Sequence, residues 1–179
     1  MDRKALLLCI TVIALLLVQF YQVIPRGEDV GSNKARVSAY FCPEDGCSQV
    51  VIRWIGRANR SIDLAMYSFT LDSIGEALVK AKDRGIRVRV ILESEKINRY
   101  SEYGRLKAAG VEVKLDRNRY LMHNKFMVID GSVVLTGSFN YTWSADKKND
   151  ENLVVIVDGK IASAYESEFE EMWSGVFGR

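Results

Sequence analysis

The hydrophobic and polar positions along the chain divide it into one long apolar segment and a series of alternating strands and helices. Between residues 61 and 115, three short apolar runs typical of buried strands alternate with two amphipathic helical segments. This order predicts parallel strands joined by right-handed crossovers. Asp72 or Ser73 is expected to cap the first of the two helices, and Gly85 to end it.

Two further strands follow in a pattern typical of a hairpin. The apolar runs "KFMVID" and "VVLTG" meet at Asp130 and Gly131, and Asp-Gly is a common two-residue hairpin turn. The run "ENLVVIV", which begins at Glu151, predicts a last strand, and an amphipathic helix follows it. Together with a helix before residue 61, these elements predict one α/β domain with a mixed, mainly parallel sheet flanked by helices.

The long apolar segment lies near the N-terminus, from Ala5 to Ile24. It contains no charged residue, and twenty helical residues span roughly 30 Å, the thickness of a bilayer core. Arg3 and Lys4 precede it, which predicts a cytoplasmic N-terminus and an extracytoplasmic domain. A retained single-pass membrane anchor is favoured, because the apolar run is longer than that of a usual signal peptide. The alternative is a cleaved signal that leaves the domain secreted or periplasmic.

The predicted organisation therefore has three parts. Residues 1–25 form the signal anchor or signal peptide, residues 26–38 form a polar linker, and residues 39–179 form the folded domain. Cys42 and Cys47 lie at the start of that domain. In an extracytoplasmic domain they can form a short-loop disulfide, and the alternative is two small buried thiols. A zinc site is disfavoured, because two more ligands would be needed.

The charge is unevenly distributed although the net charge is only +2. Residues 80–125 contain 13 Lys and Arg against 6 Asp and Glu, whereas residues 150–179 contain 2 against 7. A locally basic surface favours an anionic substrate such as a phosphodiester. On charge alone, a solvated helix face explains the excess equally well.

The stretch "HNKFMVIDGSVVLTGSFN", residues 123–140, contains the only histidine of the chain. Because side chains alternate along a strand, His123 and Lys125 are expected to point to the same side. Ser138 and Asn140 follow the returning strand and are again two residues apart. The hairpin therefore predicts that an imidazole, an ammonium, a hydroxyl and an amide meet in one place.

These four groups favour a metal-free phosphate site, because the stretch offers neither a second histidine nor a carboxylate pair. Lys125 and Asn140 can donate hydrogen bonds to phosphate oxygens, with Ser138 as a further donor. His123 can attack phosphorus and form a covalent intermediate. Glu151, on the next strand, is the candidate to fix the imidazole tautomer.

The pattern His-x-Lys-x4-Asp followed by Gly-Ser-x-Asn resembles the phospholipase D superfamily, the HKD phosphodiesterases. The segments "CSQVVIRWIGRANRSIDLAMYSFT" and "IGEALVKAKDRGIRVRVIL" resemble its small single-motif members, the bacterial periplasmic endonuclease and mitochondrial-surface cardiolipin hydrolase types. The resemblance covers about residues 40–175. It implies a phospholipase D-like sandwich fold and a hydrolase that needs no cofactor.

The resemblance also implies roles for individual residues. His123 would be the nucleophile, Lys125 and Asn140 would bind phosphate, and Glu151 would orient the histidine. Asp130 belongs to the signature and is counted with the catalytic residues, although its place at the turn indicates a structural part. Larger members carry two motif copies, and this chain carries one. An isologous homodimer is therefore predicted, with the active site at the two-fold interface.

The predicted substrate is nucleic acid, cleaved by an endonuclease with little sequence preference. Arg117 and Arg119 interleave with Tyr120 beside the motif, as expected for DNA or RNA binding. The alternative is a phospholipase D or cardiolipin hydrolase, which the membrane segment 5–24 would bring close to lipid. Mitochondrial-type relatives carry a zinc-finger-like insertion that is missing here, which disfavours that alternative. A non-catalytic nucleic-acid-binding module is the third hypothesis.

Overall fold

The structure is a computed structural model and describes residues 35–176. The apolar segment 5–24 and most of the linker lie outside the described residues. Within residues 35–176, none of the helices has the length and apolar character needed to cross a membrane. The elements are, in chain order, β1 (Arg36–Cys42), α1 (Cys47–Arg57), β2 (Ser61–Met66), α2 (Asp72–Asp83), β3 (Arg87–Leu92), a 3-10 turn (Ser94–Lys96), α3 (Tyr103–Ala108), β4 (Glu112–Leu115), β5 (Lys125–Ile129), β6 (Val133–Gly137), α4 (Trp143–Lys147), β7 (Glu151–Val157) and α5 (Gly159–Trp173).

The seven strands form one mixed sheet in the order β1-β7-β6-β5-β2-β3-β4. β2, β3 and β4 are parallel, and α2 and α3 make the crossovers between them, as predicted. The other four pairings are antiparallel. The prediction of a mainly parallel sheet is therefore wrong, because the hairpin β5–β6, its pairing with β2 and the strands β7 and β1 contribute four antiparallel pairings against two parallel ones.

Helices cover both faces of the sheet. On one face, α1, α2 and α3 pack against apolar side chains of the strands, and on the other face α5 does so. A buried ion pair lies beneath α5. Arg89 of β3 donates from Nε to Asp63 Oδ1 of β2 (2.7 Å) and from Nη2 to Glu170 Oε1 of α5 (2.6 Å). Arg89, a polar residue in the alternating sequence of β3, thus links α5 to the sheet.

Strand β1 is an element that the sequence pattern did not predict. It pairs antiparallel with β7 at the edge of the sheet, and it begins at Arg36. Residues 36–38 therefore belong to the sheet, which shortens the predicted linker. The strand is largely exposed, with Val37 and Phe41 60% and 61% accessible, and so it lacks the alternation by which buried strands are recognised.

For the crossover helix α2, the predicted C-terminal end is confirmed, whereas the predicted N-terminal cap is not. Gly85 and Gly110 adopt positive φ values of 88° and 75° directly after α2 and α3, as expected for helix ends. At the start of α2, however, Leu71 is the N-cap residue and no side chain caps the helix. The expectation that Asp72 or Ser73 caps α2 is therefore wrong.

Candidate active site

Nearly all of the predicted site residues lie along the side of the sheet where the ends of the strands meet, and we call this side the site edge. The carboxyl ends of β2, β3, β4 and β6 meet there with the amino ends of β5 and β7. The motif residues at this edge are His123, Lys125, Ser138, Asn140 and Glu151. The fold thus gathers parts of the chain that are up to 28 positions apart in sequence.

His123 and Lys125 form a close pair at the start of β5. His123 lies in the loop two residues before the strand, and its side chain is exposed. Lys125 Nζ lies 3.3 Å from each ring nitrogen of His123 and donates to the His123 carbonyl oxygen (2.9 Å). Partial burial lowers the pKa of Lys125, and the negative charge of Glu151 opposes this shift. The predicted meeting of imidazole and ammonium is present.

The ring of Tyr67 forms one wall of this pair. It packs edge-on against the imidazole of His123 with 4.4 Å between ring centres, and Lys125 Nζ lies 4.9 Å from its centre. Tyr67 lines the site, whereas Phe69 is buried in the core.

Backbone hydrogen bonds connect the end of β2 to both halves of the motif. Tyr67 N donates to Asn124 O (3.0 Å), next to His123. Tyr141 N, next to Asn140, donates to Ser68 O (3.1 Å). The segment after β2 therefore holds the His-x-Lys and Gly-Ser-x-Asn parts in fixed positions relative to each other.

Ser138 and Glu151 are bonded to each other. Ser138 Oγ donates to Glu151 Oε2 (2.5 Å), and Asn149 Nδ2 donates to Glu151 Oε1 (3.2 Å). Among the described residues, His123 is not a hydrogen-bond partner of this carboxylate. Glu151 therefore accepts from Ser138 in this structure, and the predicted roles of Glu151 toward the imidazole and of Ser138 toward phosphate stay predictions.

Asn140 presents an amide that the rest of the described chain does not engage. Its Oδ1 is buried, and no described residue donates a hydrogen bond to it. The neighbouring Gly137 has a φ of 147°, and a Cβ at this position would collide with the carbonyl oxygen of Asn152. This close approach explains the glycine of the Gly-Ser-x-Asn sequence, because it allows the chain to leave β6 beside β7.

Asp130 lies at the other end of β5, roughly 16 Å from Lys125 for a strand of this length. Its carboxylate accepts from the backbone N–H groups of Asn59 (2.9 Å), Arg60 (2.7 Å) and Ser61 (3.0 Å). Partial burial opposes ionisation, but these donors outweigh it and lower the pKa of Asp130. Asp130 is therefore a structural residue, and its inclusion among the predicted catalytic residues is wrong.

Arg117 and Arg119 lie in the loop between β4 and β5 and are both exposed. Neither forms an ion pair or a hydrogen bond with another described residue, and the Arg119 guanidinium lies 5.8 Å from the centre of the Tyr120 ring. The structure places them on the site edge without contact to His123 or Lys125. Their predicted part in substrate binding stays a prediction.

Lys96 is a site-edge residue that the sequence reasoning missed. It ends the 3-10 turn that follows β3, and its Nζ lies 4.9 Å from the centre of the Tyr67 ring, as Lys125 Nζ does. No motif marks this lysine. The one signal in the sequence was its place after a parallel strand, since ligands of α/β sheets bind at the carboxyl ends of such strands.

The two cysteines at the start of the domain form a disulfide, with 5.7 Å between their Cα atoms. This resolves the alternative left open between a disulfide and two buried thiols. Next to Cys47, Ser48 N donates to the buried Asp146 Oδ1 of α4 (3.0 Å). Since α4 follows Asn140 closely, the disulfide segment supports the part of the site that carries the amide. Across residues 35–176, no cluster of three or more His, Cys, Asp and Glu side chains is arranged to hold a metal ion.

Comparison with known proteins connects this geometry to others. Residues 51–173 match the family described as cardiolipin synthase, PLD-like domain. The mitochondrial cardiolipin hydrolase of Xenopus tropicalis is 42% identical over 118 residues, which are 65% of this chain and 56% of that protein. The phospholipase D of Rickettsia prowazekii is 37% identical over 134 residues, 74% of this chain and 65% of that protein. The chain thus spans slightly more than half to about two thirds of the length of these relatives.

Solved structures show the same fold. Nuc from Salmonella typhimurium, a phospholipase D family member, superposes with a TM-score of 0.75 at 31% identity, over 79% of this chain and 96% of that one. NucT from Helicobacter pylori superposes with a TM-score of 0.75 at 26% identity, over 82% of this chain and 100% of that one. The sandwich fold expected from the motif is therefore present.

Proposed function

The chain belongs to the phospholipase D superfamily, and from this premise we propose that it is a metal-independent phosphodiesterase that cleaves nucleic acid through a phosphohistidine intermediate on His123. The observation that carries the proposal is the contact of Lys125 Nζ with both ring nitrogens of an exposed His123. An ammonium in this position can bind a phosphate oxygen while the imidazole faces phosphorus.

The first step uses the neutral imidazole of His123. Its ring nitrogen attacks phosphorus, a P–N bond forms, and the bond from phosphorus to the leaving oxygen breaks. Lys125 stabilises the negative charge on the non-bridging oxygens, and Nδ2 of Asn140, whose buried Oδ1 has no hydrogen-bond partner within residues 35–176, is the second donor. The leaving alkoxide needs a proton, and no other histidine exists in this chain to supply it.

A homodimer supplies that proton. In an isologous pair the partner subunit's His123 protonates the leaving group. It then accepts a proton from water, whose oxygen attacks phosphorus and breaks the P–N bond. The two imidazoles must start in different protonation states, because one attacks as a base and the other donates a proton. His123 lies exposed at the site edge, as a residue shared between two subunits requires.

Nucleic acid is favoured as the substrate by the side chains around the cluster. Lys96, Arg117 and Arg119 project at the site edge, and none of them pairs with a carboxylate within residues 35–176. Two exposed aromatic rings lie nearby, namely Tyr120 (79% accessible) in the loop before β5 and Trp143 (56%) at the start of α4. Cations for phosphates and aromatic rings for bases are the combination typical of nucleic-acid-binding surfaces.

Phospholipid is the second candidate substrate. The relatives named mitochondrial cardiolipin hydrolase and phospholipase D favour it, and so does the apolar segment 5–24, which would place the domain at a membrane. The shared chemistry at phosphorus is identical in the two cases. The choice between them therefore rests on which substrate the purified protein turns over.

The experiment uses the full-length chain in detergent micelles with EDTA present. Supercoiled plasmid, a labelled single-stranded oligonucleotide and cardiolipin vesicles are offered separately. We expect both nucleic acids to be cut, and label to be trapped on the protein in an adduct stable to alkali and released by acid. His123→Ala should abolish cleavage and trapping, whereas the control Lys107→Gln, an exposed lysine near the end of α3, should do neither.

Turnover of cardiolipin with intact nucleic acid would replace the nuclease by the lipid hydrolase. Binding of nucleic acid without cleavage would indicate the non-catalytic module.

Mixing of wild-type and variant subunits tests whether the active site is shared between two subunits. An equal mixture of wild type and His123→Ala, allowed to exchange subunits, should retain about one quarter of the activity, because only dimers with two histidines work. Retention of about half would show that each subunit acts alone.

A further inference from the structure

A cavity of about 550 Å³ opens on the site edge outside the motif cluster. It lies between the loops that follow β3 and β4 and the end of α5, and its lining includes Lys114, Arg117 and Trp173. Met172, in its wall, accepts a contact from Asn124 Nδ2 at 3.5 Å. Since Asn124 directly follows the nucleophile, the cavity borders the reaction centre.

Neither cation of this cavity forms a salt bridge within the described chain, although the charge of Lys114 contributes to lowering the pKa of Glu170. Arg117 is exposed and forms no ion pair with a residue in 35–176, and Lys114 Nζ donates to the Trp173 carbonyl oxygen (2.9 Å) and not to a carboxylate. The acidic group in the wall, Asp116, is buried. Its two oxygens accept from the backbone N–H groups of Ser94 (3.1 Å) and Asn118 (3.0 Å). An entering anion therefore meets the two cations.

Lys96 connects this cavity to the reaction centre. The 3-10 turn Ser94–Lys96 lines the cavity with its first residue and reaches Tyr67 with its last. The ring of Tyr67 in turn contacts His123 and Lys125. Cationic groups thus follow one another along the site edge from the nucleophile into the cavity.

We propose that this cavity is a second phosphate subsite, in which Arg117 and Lys114 bind another phosphate of the strand being cleaved, with Lys96 between the two phosphates. The proposal rests on the proposed nuclease function and narrows it, because occupying the reaction centre and the cavity together requires a second phosphodiester, which every strand of nucleic acid supplies. A small substrate with one phosphate engages His123 and Lys125 alone. Charge-assisted contacts of this kind fix register on the strand without reading its sequence.

The test compares two substrates on the full-length protein. A single-stranded oligonucleotide of twelve nucleotides reaches both subsites, whereas bis(4-nitrophenyl) phosphate, with one phosphate, reaches only the first. For Arg117→Gln and for Lys96→Gln, we expect kcat/KM for the oligonucleotide to fall about tenfold more than kcat/KM for the small diester. The fall should lie in KM, and the salt dependence of oligonucleotide binding should weaken by about one unit of slope.

Arg117→Lys should restore most of the oligonucleotide activity, because it keeps the charge, and Lys107→Gln serves as the matched charge-loss control. Equal losses on both substrates, or losses no larger than those of the control, would overturn the subsite. A wild-type protein that hydrolyses the small diester but leaves every oligonucleotide intact would overturn the nuclease itself. That outcome needs no variant, so the two failures are distinguishable.

Discussion

The ring of Tyr67 packs edge-on against the imidazole of His123, with 4.4 Å between the ring centres, and it is also the ring beside which Lys125 and Lys96 place their ammonium groups. A histidine in a loop before a strand needs such a wall to hold its orientation, because its own backbone offers little restraint.

Tyr67→Leu should lower kcat of the phosphodiesterase by roughly 10- to 100-fold, because a small displacement of a nucleophile has a cost of that size. Tyr67→Phe keeps the ring and should stay within a few-fold of the wild type. Steady-state rates with the oligonucleotide measure both, and circular dichroism confirms folding. Equal rates for Leu and Phe would show that the ring does not position His123.

The charge of Glu151 should set the alkaline limit of activity. Partial burial lowers the pKa of Lys125, and Glu151 partly offsets this shift. Lys125 must be protonated to bind phosphate, so activity should fall as the pH rises through its pKa. Glu151→Gln lowers that pKa further, and the alkaline limb of the kcat/KM profile should move to lower pH. Ser138→Ala, which retains the carboxylate, is the control, and an unmoved limb in Glu151→Gln contradicts the assignment.

Asp130 should matter for stability and not for chemistry. Asp130→Ala removes the acceptor of three backbone N–H groups and should lower the free energy of unfolding by about 2 kcal/mol. Because the pKa of Asp130 is lowered in the folded state, its contribution is present above the unfolded pKa and is lost as the pH falls. Denaturation at pH 7 and pH 3 measures this. A fall in kcat of the folded variant comparable to that of His123→Ala would return Asp130 to the catalytic residues.

The Cys42–Cys47 disulfide should stabilise the domain by about 2 kcal/mol, the size expected for a short closed loop. Its loss should also loosen the contact of Ser48 with Asp146 and thereby the support of α4. Reduction should therefore raise KM as well as lower the thermal midpoint. The double variant Cys42→Ser with Cys47→Ser should match the reduced protein and be insensitive to reductant. A drop in midpoint without a change in KM would separate the disulfide from the site.

Glu102 should make the fold less stable at neutral pH than at acidic pH. Burial raises its pKa to about 7, although Arg105 Nε lies 2.9 Å from Oε2. The folded state therefore holds this proton more tightly than the unfolded state, whose value is near 4.5. Stability should be highest below pH 4.5 with respect to this group and decline up to about pH 7, by on the order of 2 kcal/mol. Glu102→Gln should remove the decline in urea titrations, while the exposed neighbour Glu76→Gln should keep it.

Several features followed from the sequence because they depend on local pattern. The β2-α2-β3-α3-β4 unit was predicted from alternating apolar runs, and the hairpin from its Asp-Gly turn, where both residues adopt the positive φ that such a turn requires (55° and 63°). His123 and Lys125 lie together as predicted, although His123 precedes β5 and is held by contacts with Tyr67 and Lys125 and not by strand alternation. These predictions needed no knowledge of distant contacts.

Other features depend on contacts between distant parts of the chain and could not be predicted. Strand β1 is recognisable only by its pairing with β7, because both of its faces are largely exposed. The bond from Ser138 to Glu151 was not predicted, and it arises from how β6 lies beside β7. Lys96 reaches Tyr67 through the parallel pairing of β2 and β3, 29 positions apart in the chain.

The five residues of β5 separate Lys125 at one edge of the sheet from Asp130 at the other. The fixed gap between Lys and Asp in the His-x-Lys-x4-Asp signature thus corresponds to the length of one strand of the sheet. Lys125, at one end of this gap, is part of the candidate active site, whereas Asp130, at the other end, stabilises the fold. Inserting or removing one residue would rotate the strand by one step and turn its inward side chains outward. The spacing by which the sequence motif is recognised is therefore set by the width of the sheet that carries the site.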